Sequence, residues 1–114
     1  MTTVEIINLL HKSINNKDYD MVPTTKNRNS RRKHGLTLYE LEDFLLSINE
    51  EDLVRGPIKD RDIPSEELFI FNKEIKPGVT FYLKIKKDSK VTRDRIKILS
   101  CHDINYWEDD EDGE

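Results

Sequence analysis

"ELFIFNKEIKPGVTFYLKIKK", residues 67–87, contains two β-type runs and the punctuation between them. Leu68, Phe69, Ile70 and Phe71 follow one another, apolar on both faces, which suits a strand in the interior of a sheet. Pro77 and Gly78 then occupy the two central positions of a type II turn, one fixing a negative φ and the other tolerating a positive one. The return run, "FYLKIKK", alternates without a break. Phe81, Leu83 and Ile85 share one face, and Tyr82, Lys84 and Lys86 the other, because successive strand side chains point to opposite sides. An antiparallel hairpin is expected, with a phenol and two ammonium groups turned away from the core. Taken alone, such a row is as well explained as a solubilising face whose lysines discourage edge pairing.

Upstream of the hairpin the apolar period changes from 2 to 3.6. Thr2 stands three residues before Glu5 at capping-box spacing, and Val4, Ile7, Leu10 and Ile14 continue as a helical stripe with His11 beside it. A short strand is expected over residues 19–22, ended by Pro23. "NRNSRRKHG", residues 27–35, reads as a polar helix stopped by Gly35, with Lys33 and His34 at its partly negative C-terminal end. Lys26, Arg28, Arg31, Arg32 and Lys33 make this the most basic stretch of the chain, either a solvated face or a surface for phosphates.

Thr37 and Glu40 repeat the capping box ahead of the main core helix, whose stripe is Leu38, Leu41, Leu45 and Ile48 with Phe44 at its border. A strand over residues 53–55 and a loop marked by Gly56, Pro57 and Pro64 lead back to the hairpin. "RIKILSCH", residues 95–102, supplies the closing strand. Helices first and strands afterwards predict an α+β fold, with the N-terminal helices packed on one face of an antiparallel sheet.

The chain has 114 residues, enough for one domain, here expected over residues 1–106. Charged residues make up 37% and apolar ones 35%, so the core should be thin. The net charge of -4 is unevenly spread: "WEDDEDGE", residues 107–114, carries Glu108, Asp109, Asp110, Glu111, Asp112 and Glu114, and without these six the remainder is +2. This segment is expected to be a disordered tail, serving solubility or acting as a nucleic-acid mimic that shields a basic site or recruits a partner. No apolar run is long enough for a membrane span and the start has no basic n-region, so a cytoplasmic protein without a membrane partner is expected. One cysteine, Cys101, cannot form an internal disulfide and is expected in the core. His11, His34 and His102 show no metal-ligand spacing and no glycine-rich phosphate loop is present, so neither metal nor cofactor is expected.

Taken in order, "NRNSRRKHGLTLYELEDFLLSINEEDLVRGP", "ELFIFNKEIKPGVTFYLKIKK" and "RIKILSCHD" resemble the MqsR family of bacterial type II toxins over residues 20–104. The most specific pieces are the Gly-Leu-Thr start of the core helix, "DLVRGP", "YLKIK" and the final "LSCH". The resemblance implies a RelE-like fold, metal-free endoribonuclease cleavage of mRNA through 2′-hydroxyl attack, and inhibition by a cognate antitoxin. By position it implies catalytic roles for Arg55, Tyr82 and His102; Lys84, two residues from Tyr82 on the same strand face, is taken with them, and Lys26, Arg28, Arg31 and Arg32 of the basic stretch, with Lys86 of the outward row, are the expected RNA-binding residues. His102 stands where some relatives have lysine, and the amide that relatives carry on the strand before the hairpin has Ile70 and Asn72 as its candidates. The alternative is an inactive binding or regulatory module of the same fold that docks a protein partner.

Overall fold

The computed structural model describes residues 1–106; the acidic segment 107–114 lies outside the described residues. Three helices, α1 (Thr3–Asn15), α2 (Thr25–Lys33) and α3 (Leu38–Leu46), accompany five strands: β1 (Tyr19–Met21), β2 (Leu53–Lys59), β3 (Glu67–Lys76), β4 (Val79–Lys87) and β5 (Ile96–Asp103). The fold is α+β, and the strands form one sheet in the order β1-β5-β4-β3-β2.

Both expected capping boxes are made. The Thr2 hydroxyl accepts from the Glu5 N–H at the start of α1, and the Thr37 hydroxyl from the Glu40 N–H at the start of α3. Ile6, Leu10 and Ile14 from α1 and Leu41, Leu45 and Ile48 from the α3 region meet Phe69, Phe71, Phe81, Leu83, Ile85, Ile96 and Ile98 from the sheet. Phe44 packs edge-on against Phe81 at 5.9 Å. The buried stripes begin one turn later than expected: Val4 and Leu38, each in the first turn of its helix, are exposed. Cys101 is buried, and burial pushes its thiol up to about 12.

The expectation of an antiparallel sheet covered on one face by all the helices is corrected in two respects. First, the sheet is mixed: β1 runs parallel to β5, with Tyr19 opposite Ile96 and Met21 opposite Ile98. The chain passes from α1 straight into this edge strand, so the direction of pairing is set by where α1 ends. Second, α2 does not cover the apolar face. It packs along the part of β5 that extends beyond the short β1, and does so with polar side chains. Asn27 donates from Nδ2 to the Leu99 carbonyl (3.3 Å) and accepts from the Cys101 N–H (2.8 Å), while the Ser30 hydroxyl accepts from the Asp103 N–H (3.0 Å). Asn27 and Ser30 are buried and substitute for the backbone of a missing neighbour strand. That is how a helix with so little apolar surface is held.

The hairpin turns as read, with Gly78 at φ 79. Gly56 and Pro57, read as loop, lie inside β2 instead. Gly56 has φ 138, and a Cβ there would approach the Leu68 carbonyl oxygen at 2.8 Å, so only glycine allows β2 this close to β3. The β2 register shifts on either side of Arg55, consistent with an irregular edge strand.

A bulge in β5 decides what faces outward. Ile85 pairs with Ile98 but Lys84 with Ser100, so Leu99 is an extra residue. Strict alternation from Ile96 and Ile98 would turn His102 into the core and Cys101 outward. With the bulge, Cys101 lies opposite Leu83 on the core face and His102 opposite Tyr82 on the outer face.

Candidate active site

The outer face carries two cross-strand rows. In one, Asn72, Tyr82 and His102 lie side by side on β3, β4 and β5; in the next, Arg55, Ile70, Lys84 and Ser100 span β2 to β5. Tyr82, Lys84, Ser100 and His102, with Lys26 from α2 and Ile104 after β5, line a hollow of about 300 Å³. The rings of Tyr82 and His102 stack with centroids 5.4 Å apart. Tyr106 closes the other side of the imidazole, 6.0 Å away. Its hydroxyl is bonded by the Asn29 amide (3.1 Å), and its ring lies 5.9 Å from the Lys26 ammonium, a cation–π contact.

His102 is only 8% exposed. Its Nδ1 lies 2.9 Å from the Asp103 carbonyl oxygen. A carbonyl only accepts, so Nδ1 carries the proton and the neutral ring keeps its lone pair on Nε2. Burial lowers the imidazole pKa below its ordinary value; the bond to Asp103 opposes this, and the charges of Lys26 and Lys84 add to the lowering. At neutral pH the ring is uncharged and able to accept a proton. Burial moves Tyr82 the opposite way, raising its pKa against the opposing charge of Arg55, so the phenol remains a donor. The hollow thus combines a proton acceptor, a hydroxyl donor and two ammonium groups.

The remaining sequence-predicted residues are spread more widely. Arg55 is exposed on the same face, two strands from Lys84; it reaches Tyr82 through its charge and does not line the hollow. Arg28, Arg31 and Arg32 line a different depression with Gly35 and Leu36, and the Arg31 Nε bonds the Leu36 carbonyl (3.4 Å). At about 100° per residue, Lys26 falls on one flank of the buried Asn27–Ser30 stripe and Arg28 and Arg31 on the other. Lys86 is the correction. It lies on the predicted face, but it is 7% exposed and its Nζ is held by Asp60 Oδ2 (2.8 Å) and Glu66 Oε1 (2.7 Å). The loop between β2 and β3 folds over that end of the strand, so this ammonium is used internally rather than offered to RNA.

Of the two candidates for the amide, Asn72 is the cross-strand partner of Tyr82, and its Oδ1 is buried without a hydrogen-bond partner among the described residues. Ile70 lies opposite Lys84. The hairpin register shifts by one between Glu74 and Lys76. A tight turn continued without this shift would set Lys73 against Tyr82, so the pairing could not be read from the turn alone. Ser100, Ile104 and Tyr106 were not anticipated at the site; the bulge at Leu99 brings the first there, and the chain's turn after β5 the other two.

Among the described residues, no group of histidine, cysteine, aspartate and glutamate is placed to hold a metal ion, and no helix is long and apolar enough to cross a membrane. Fold and site define a small α+β protein with a mixed sheet and an electropositive hollow on its uncovered face. No protein-family model, curated protein or solved structure matches the chain.

Proposed function

We propose that the protein is a metal-independent endoribonuclease with a RelE-like arrangement, acting on mRNA as the toxin of a type II toxin–antitoxin pair. The observation that carries this reading is the convergence of Tyr82, Lys84, His102 and Lys26 on one hollow. Cleavage of RNA by its own 2′-hydroxyl needs a base, a proton for the departing 5′-oxygen, and positive charge near the phosphoryl oxygens. Neutral His102 removes the 2′-hydroxyl proton, and the 2′-oxygen attacks phosphorus. Lys84 and Lys26 neutralise charge on the nonbridging oxygens. Tyr82 stacks on a base or holds the ribose hydroxyl, and the 5′-oxygen leaves with a proton from the imidazolium just formed or from an adjacent ammonium. The products are a 2′,3′-cyclic phosphate and a 5′-hydroxyl.

The test is to incubate the purified chain with mixed-sequence RNA in EDTA and map the ends. Fragments ending in 2′,3′-cyclic phosphate support the nuclease. RNA left intact over a wide range of protein concentration removes it and favours a binding module, whose partner would dock on the same exposed sheet face. A cognate antitoxin would be expected to cover the hollow and abolish cleavage in the same assay.

A further inference from the structure

Asp103 closes β5, and the base of the site is held by the peptide that follows it. The carbonyl of that peptide accepts the His102 Nδ1–H (2.9 Å), and its N–H, on Ile104, donates to the Thr80 carbonyl (2.9 Å). The C=O and N–H of a trans peptide point in opposite directions, so the bond to Thr80 limits where the carbonyl can turn. Asp103 is itself held by three bonds. Its N–H donates to the Ser30 hydroxyl (3.0 Å), its Oδ1 accepts from the Asn105 N–H (2.9 Å), and its Oδ2 lies 2.8 Å from His34 Nε2. Burial works against charge on this carboxyl, but the Asn105 N–H and then His34, with Lys33, outweigh it and hold its pKa below the ordinary value. An ionised carboxylate only accepts, so His34 Nε2 carries the proton.

A histidine at the C-terminal end of α2 is explained by the helix dipole when it stands in water. His34 does not: its side chain is 11% exposed and that of Asp103 10%, and its ring lies against Phe81 with centroids 6.0 Å apart. We propose that His34 is a positioning residue for His102: by holding the Asp103 side chain it fixes the peptide whose carbonyl receives the His102 Nδ1–H, and so keeps the lone pair of that ring on Nε2. Without the bond, a buried carboxylate loses a donor and turns toward other partners or water, taking its own peptide with it. Nothing then favours the proton on Nδ1 over Nε2, and a ring that carries it on Nε2 has no lone pair there to accept the 2′-hydroxyl proton. The consequence for cleavage rests on the nuclease reading; the tautomer of His102 stands on the geometry alone.

The test compares the full-length chain with three variants of His34. His34→Gln sets an amide N–H close to where Nε2 stands and keeps the bond. His34→Asn carries the same amide but stops short of the carboxylate, and His34→Phe keeps a ring against Phe81 and has no donor. Ring nitrogen shifts of His102 are read by NMR at about pH 8, where its imidazole is neutral. The unmodified chain and His34→Gln should show Nδ1 protonated. His34→Asn and His34→Phe should both show a mixture of tautomers, whatever their melting temperatures. On an oligoribonucleotide, kcat should fall about tenfold in the two variants that lose the bond, with KM unchanged, and His34→Gln should recover most of it. Nδ1 still fully protonated in a folded His34→Asn or His34→Phe, or a mixture in His34→Gln equal to theirs, would overturn the proposal. If the unmodified chain cleaves no RNA, the nuclease reading fails, and the nitrogen shifts still decide whether His34 sets the tautomer.

Discussion

His102 and Lys84 act on each other across the β4–β5 pair, and this gives the site a definite pH response. The folded pKa of the imidazole is depressed, first by burial and then by the charges of Lys26 and Lys84. A base of this kind is active above its folded pKa, so cleavage should be level at neutral pH and fall as pH drops below the ordinary histidine value of about 6.5. Lys84→Met removes one of the charges that lower it. That variant should move the acidic limb of the pH–rate profile upward while reducing the plateau rate, measured with a fluorogenic oligoribonucleotide. A plateau lost without movement of the limb would leave Lys84 only a binding role. Tyr82→Phe keeps the ring that stacks on His102 and removes only the hydroxyl. It should lower cleavage by about 10²-fold with an unchanged melting temperature.

At the scale of elements, α2 holds the outer end of the site through Asn27 and Ser30, and the Asn27 amide makes most of the bonds. Asn27 bonds the carbonyl of Leu99, the bulge residue itself, and the N–H of Cys101 just beyond it, in the stretch that turns His102 outward. Asn27→Ala removes these two bonds and a third to the Val22 carbonyl (2.8 Å), leaving the buried Cys101 N–H without its side-chain partner, and should cost about 1–3 kcal/mol of stability by denaturant titration. It should also shift the His102 imidazole resonances, since the bulge that presents the ring loses its clamp. Resonances unchanged in a destabilised variant would show that α2 supports the fold but does not position the site. This element also marks where the sequence was legible. The core helices, the hairpin and its turn followed from capping boxes, periodicity and a Pro-Gly pair, all local signals. The bulge at Leu99, the parallel pairing of β1 and the docking of α2 through Asn27 and Ser30 depend on contacts between residues far apart in the chain, and alternation alone would have buried His102. The placement of that residue came from the resemblance rather than from the period of the strand.

Over the whole molecule, carboxylates join loops to the framework, and their titration should govern acid stability. The Arg93 guanidinium beside Asp18 holds that carboxyl down to about 2, tying the start of β1 to the β4–β5 loop. Lys17, and then Tyr19, lower Glu42 on the buried side of α3; Lys86 lowers both Asp60 and Glu66 beneath the β2–β3 loop. A carboxyl whose pKa is lower folded than unfolded contributes stability in full above its unfolded value, about 4, and loses it as pH falls through the folded value. The melting temperature should therefore be flat from neutral pH to about pH 5 and fall steeply between about pH 4 and pH 2. Lys86→Ala separates one of these groups from the rest. At neutral pH it leaves Asp60 and Glu66 facing each other under the loop without their cation, so the variant should melt at a lower temperature than the unmodified chain. Once pH has fallen through the depressed folded values both carboxyls are protonated in either protein, and the two melting curves should converge. A difference that stays constant down to pH 2 would mean that Lys86 acts through the packing of its methylene chain and not through its charge.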